Sequence, residues 1–142
     1  MIREAAEFAE RAHEGVYRKG TKIPYITHPM ETAAIVTAFT NEPEMIAAAL
    51  LHDVIEDAGV TKEELEEKFG SRVAFLVESE SEDKSRSWME RKGTTVEHLK
   101  SATRDEKILA LADKLSNIRS TVRDYLVLGD EVWQRFNQKD KE

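Results

Sequence analysis

The 142-residue chain predicts an all-α fold, a bundle of short and medium helices. Three observations carry this. Apolar residues recur at helix-compatible spacing in one segment after another. The period-two alternation that a half-buried strand needs is absent. Glycine and proline mostly fall between the periodic segments, at Gly15, Pro24, Pro43, Gly59, Gly70 and Gly129.

The elements follow in order. Ile2, Ala5, Ala6, Phe8, Ala9 and Ala12 form the apolar face of a helix over 2–13, ended by Gly15. Val16 to Pro29 reads as a loop broken by Gly20 and Pro24. Arg18, Lys19 and Lys22 make it basic, although single loop lysines are equally read as solvated charges. Pro29 suits the first turn of a helix, which puts His28 at the cap of a helix reaching about residue 40. Asn41-Glu42-Pro43 breaks the chain, and a central helix is expected over 43–57. Thr61 to Glu64 has the capping-box form and opens a helix with Leu65 and Phe69 on its apolar face. Residues 72–78 give a further short helix. The polar stretch 79–93 lacks sustained periodicity and predicts a long mobile loop or lid, with Trp88 either anchoring it to the body or forming part of a substrate lid. Residues 94–102 can form a helix capped by Thr94 or Thr95. A long helix over 105–125, continuing to about Leu128, has Ile108, Leu111, Ala112, Leu115, Ile118 and Val122 as its expected core stripe. Asp113, Asn117 and Ser120 form a separate polar stripe on it. A last short helix holds Val132, Trp133 and Phe136.

Composition narrows the function. One domain over 1–142 is the simplest organisation, large enough for a core. A net charge of −7 leaves no general basic face for duplex nucleic acid, while a local basic pocket for a small anion stays open. The chain has no cysteine, which excludes disulfides, thiolate metal sites and a cysteine nucleophile. No apolar run is long enough to span a membrane, and Met1-Ile2-Arg3-Glu4 opens no signal-peptide core. A cytoplasmic protein is the expectation.

The chemistry concentrates at Leu51-His52-Asp53-Val54-Ile55-Glu56-Asp57. On one helix the four ionisable side chains crowd one side, directly after the apolar run Met45 to Leu51. Two readings fit: a polar helix end in solvent, or buried carboxylates partnered by a cation. His28, His52, Asp53 and Asp113 each interrupt an apolar stretch, in separate helical segments. Two imidazoles and two carboxylates suit a divalent first-row metal such as manganese, iron or zinc.

These pieces resemble the HD-domain superfamily of metal-dependent phosphohydrolases, and within it the hydrolase module of bifunctional alarmone synthetase/hydrolases and their small stand-alone relatives. The matching motifs are Arg18-Lys19-Gly20, Pro24-Tyr25-Ile26-Thr27-His28-Pro29, Leu51 to Asp57, and Ala112 to Ser120. The resemblance implies an HD-type helical bundle that hydrolyses the 3′-pyrophosphate of (p)ppGpp to GDP or GTP and pyrophosphate. It implies one Mn²⁺ held by His28, His52, Asp53 and Asp113, with Glu56 and Asp57 positioning and activating the attacking water. Arg18 and Lys19 would face the guanine nucleotide, with Tyr25, Asn117 and Ser120 in the nucleoside pocket. Small relatives usually continue with a further helical segment, so either a C-terminal truncation of the domain or a shorter form is expected. Two alternatives stand beside this function. One is an HD phosphohydrolase for another nucleotide or a cyclic dinucleotide, against which Arg18, Lys19 and Asn117 speak. The other is a catalytically silent metal- or nucleotide-binding regulatory module, which would be expected to lose Glu56-Asp57 or a ligand.

Overall fold

The computed structural model describes residues 1–135, and every structural statement below concerns those residues. Their order is α1 (Ile2–Ala12), α2 (Thr27–Val36), α3 (Pro43–Leu51), α4 (Val54–Ala58), α5 (Lys62–Phe69), α6 (Ser71–Glu80), α7 (Trp88–Ser101), α8 (Arg104–Leu128) and a 3₁₀ segment, Gly129–Arg135. Phe136 lies outside the described residues. The all-α expectation holds: the only strand-like pairing described is an isolated bridge between Tyr17 and Pro24. No described helix is long and apolar enough to cross a membrane.

The bundle is built around α3. Pro43 opens it, where a missing N–H costs nothing. Met45 and Ala47 to Leu51 are all buried, and α3 packs against α1, α2, α6 and α8. Its three successive alanines keep the neighbouring backbones close, while Met45 and Leu51 fill the gaps between them. Ala5 and Ala9 of α1, Val36 of α2, Leu65 and Phe69 of α5, Val73 and Val77 of α6, and Ile108 and Leu109 of α8 complete the core.

Several sequence expectations change. The helix expected over 43–57 is two helices, with His52 and Asp53 in the turn between them. The cause is local. His52 Nδ1 donates to the Ala49 carbonyl at 2.7 Å, the oxygen that the Asp53 amide would take in a continuous helix. Asp53 sits at φ −101°, ψ −4°, and its own carbonyl starts α4 by accepting from the Asp57 amide at 2.8 Å. His28, expected at a cap, is the second residue of α2, with Ile26 at the cap.

The long polar loop expected at 79–93 shrinks to 81–87. Residues 79 and 80 belong to α6, and α7 begins at Trp88, so this tryptophan is helical and borders the cleft described below. Ser87 and Glu90 make a reciprocal capping box that starts α7. None of α7's 14 residues is buried, so it carries no apolar period to read. Thr94 and Thr95 lie inside the helix and bond back to the Glu90 and Arg91 carbonyls.

The expected core stripe of α8 holds only in part. Ile108 and Ala112 are buried as expected, but Leu111, Leu115, Ile118 and Val122 are exposed, and Leu109, Asp113 and Ser116 are buried in their place. Only the N-terminal half of α8 enters the core, and the face it buries is the one bearing Asp113.

Candidate metal centre

Three elements deliver one ligand atom each to a common point. The first turn of α2 brings His28, the turn after α3 brings His52, and the buried face of α8 brings Asp113. His28 Nε2 lies 3.1 Å from His52 Nε2 and 3.0 Å from Asp113 Oδ1, and His52 Nε2 lies 3.3 Å from the same oxygen. Asp53, the remaining expected ligand, brings Oδ2 to 3.1 Å from His52 Nε2 and 3.6 Å from His28 Nε2. All four expected ligands therefore converge.

The ring orientations are set from behind. The Ala49 carbonyl can only accept, so His52 Nδ1 carries a proton and Nε2 is the atom turned to the cluster. His28 Nδ1 meets Ser116 Oγ at 2.9 Å, which turns its Nε2 inward too. Two imidazole nitrogens and two carboxylate oxygens within hydrogen-bond range hold more lone pairs than protons, unless a positive charge joins them. The electrostatics agree. Burial alone would discharge His52, but Asp53 and Asp113 outweigh it and raise its pKa well above 6.5. Burial also opposes ionisation of Asp53, yet His52 holds it at about 2. Asp113 is likewise held below the usual carboxylate range, burial being outweighed by His28 and His52. The cluster draws a cation, and its donors fit a divalent metal.

Glu56 and Asp57 follow on α4 and are treated unequally. Burial pushes the Glu56 carboxyl up to about 7, with Lys84 opposing and Asp53, Asp57 and Glu82 adding to the shift. Asp57 Oδ1 instead accepts from Lys84 Nζ at 2.6 Å. On the far side of the cluster, Lys114 Nζ donates to Asp113 Oδ2 at 3.1 Å, and the Glu80 carboxyl beside it is raised by burial to about 7. Sequence reasoning missed Glu80, Lys84, Lys114 and Ser116. Ser116, three residues after Asp113, follows only from knowing which face of α8 is buried. Lys84 had no local signal, because its partner is 27 residues away.

The expected substrate residues divide between two places. Arg18, Lys19, Asn117 and Ser120 all border a cleft of about 760 Å³ beside the cluster, with Trp88 and Trp133 on its walls. Arg18 Nη2 donates to Asn117 Oδ1 at 3.3 Å, and Asn117 Nδ2 donates to Asp113 Oδ1 at 3.2 Å, so cleft and cluster are joined. Tyr25 touches the cleft but its hydroxyl donates to Asp53 Oδ2 at 2.6 Å. Its ring carries the Arg18 guanidinium at 5.7 Å on one side and packs on buried His13 at 4.9 Å. The 3₁₀ segment contributes Trp133 and Arg135 to the cleft lining. Arg135 pairs with Asp124 at 2.6 Å and lies so close over Gly20 that a Cβ there would sit 2.6 Å from its Nε.

Comparison with known proteins agrees with this architecture. The HD domain family model matches residues 5–139. The chain is 40% identical over 126 residues to guanosine-3′,5′-bis(diphosphate) 3′-pyrophosphohydrolase MESH1 of Xenopus tropicalis, covering 87% of this chain and 70% of that protein. The Homo sapiens MESH1 protein is 42% identical over the same coverage. A Haemophilus influenzae protein called guanosine-3′,5′-bis(diphosphate) 3′-pyrophosphohydrolase is 39% identical over 118 residues, 79% of this chain but only 17% of that larger protein. Among solved structures, a metazoan ortholog of SpoT that hydrolyses ppGpp superimposes with TM-score 0.81 at 28% identity, covering 99% of this chain and 87% of that one.

Proposed function

The chain belongs to the HD-domain family, and from that premise we propose that it hydrolyses the 3′-pyrophosphate of (p)ppGpp, releasing GDP or GTP and pyrophosphate. Relatives at 40% and 42% identity bear that activity in their names, which supports the substrate. The observation that carries the chemistry is the meeting of two inward-facing imidazoles with two carboxylates in a buried cluster.

In this proposal His28, His52, Asp53 and Asp113 hold one Mn²⁺. Manganese commonly takes six ligands, so four from the protein leave positions open. When bound, the ion supplies Lewis acidity, polarising a phosphoryl oxygen and making a water easier to deprotonate. Glu56 accepts the proton of the attacking water, since a carboxyl near pKa 7 is matched to that work at neutral pH. Asp57 orients the same water. The water oxygen bonds to the phosphorus next to the ribose, the bond from that phosphorus to the ribose 3′-oxygen breaks, and the 3′-oxygen takes up a proton from solvent, to which Glu56 releases the one it accepted. Arg18 and Lys19 face the nucleotide, whose base Arg18 can stack on and whose phosphates Lys19 can neutralise. Asn117 and Ser120 line the nucleoside side of the cleft, and Tyr25 steadies Asp53 while its ring supports Arg18. Residues 1–142 act as one domain, in the cytoplasm where such nucleotides occur.

Calorimetric titration with Mn²⁺ tests the ligand set. The wild-type chain is expected to take up one ion, and Asp53→Ala to lose that uptake. Undiminished binding by Asp53→Ala, or none by the wild type, contradicts the proposed centre.

A further inference from the structure

The segment between α6 and α7 reaches across to the proposed catalytic pair. Lys84 Nζ sits 2.6 Å from Asp57 Oδ1, linking this segment to α4. The segment is held on both sides of Lys84. Before it, Glu82 accepts from Lys92 Nζ at 2.9 Å, Arg91 Nη1 at 3.3 Å and Thr95 Oγ at 3.3 Å. After it, the Ser85 amide and hydroxyl both donate to Asp83 Oδ1, and Ser87 caps α7. A lysine on so fixed a turn presents its ammonium to one place.

Such a pair contributes little to stability. Lys84 is 56% exposed, and ion pairs in water are worth at most about 1 kcal/mol. Its effect falls on the chemistry. Asp57 is tied and aimed, whereas no described hydrogen bond or ion pair engages the Glu56 carboxylate. Among the side chains that act most strongly on Glu56, Lys84 is the cation and Asp53, Asp57 and Glu82 are the acids.

We infer that Lys84 is a positioning residue for the hydrolysis, fixing Asp57 as the orienting carboxylate and leaving Glu56 as the proton acceptor. This rests on the function proposed above. Neither Asp57 nor Lys84 exchanges a proton in the step: the water's proton goes to Glu56, and Lys84 stays an ammonium throughout.

Steady-state kinetics on Lys84→Met and Lys84→Arg, with (p)ppGpp and Mn²⁺, test it. Lys84→Met is expected to lower kcat roughly ten- to a hundredfold, the cost of misplacing a reacting group. KM, calorimetric Mn²⁺ affinity and melting temperature should stay near wild type. The acid limb of kcat should move to higher pH, because Lys84 opposes the rise of the Glu56 carboxyl and its removal lets that carboxyl rise further. Lys84→Arg, which keeps the charge, should recover most of kcat. A wild-type kcat and pH profile in Lys84→Met overturns the inference. A raised KM with unchanged kcat also overturns it, making Lys84 a phosphate contact instead. If the wild type releases no pyrophosphate, the proposed function fails and the role of Lys84 fails with it.

Discussion

Helices α3 and α7 are held in place by different forces. Six of α3's nine residues are buried, while α7 buries none of its 14 and is fixed by a capping box and by the pairing of Arg91 and Lys92 with Glu82. The end of α3 places His52 against the metal cluster. The entry to α7 places Lys84 against Asp57 and Trp88 on the cleft wall. Ligand positions must be held rigidly, and burial does that. The parts that face an entering nucleotide are held by exposed polar contacts, which are individually weak.

Substitutions along this divide should differ in size and kind. The largest effect is expected on α4, directly after the buried end. Glu56→Ala should lose about 10²–10⁴-fold in turnover, the usual contribution of a general base, while Mn²⁺ uptake measured by calorimetry stays intact. Wild-type turnover should also rise as pH climbs through about 7, because Glu56 must be ionised to accept a proton and is protonated below that point. A pH-rate profile shows this limb, which Glu56→Ala should flatten. Next in size, Leu51→Ala removes a fully buried side chain and should cost about 2–5 kcal/mol in denaturant unfolding. The smallest effect is expected at α7. Ser87→Ala deletes a cap and should cost about 1 kcal/mol at most locally. It should be seen as faster amide exchange in the first turn of α7 rather than as a lower global stability. An effect of Ser87→Ala equal to that of Leu51→Ala would erase the distinction between the two regions.

The same divide explains what could be read from the sequence. The helical class, α3 and the residues that converge on the candidate site were legible because burial leaves an apolar run, and His28, His52, Asp53 and Asp113 each interrupt one. The split between α3 and α4 was not, because it comes from a histidine ring competing for the Ala49 carbonyl, which no periodicity records. The start of α7 was written only in Ser87 and Glu90, a capping pair lost in a polar stretch. Leu111, Leu115, Ile118 and Val122 misled because an apolar stripe was assigned to the core, whereas Ile118 and Val122 line the cleft. Tyr25, expected in the nucleoside pocket, borders the cleft, but its bond to Asp53, which spans 28 residues, left no local trace. Lys84 lay beyond local inference for the same reason.

Product identity tests the central claim most directly. The chain is incubated with ppGpp and Mn²⁺, and pyrophosphate and orthophosphate are followed separately. Release of pyrophosphate and GDP in equal amounts is the predicted result. Orthophosphate as the product, or no turnover of ppGpp, contradicts the account.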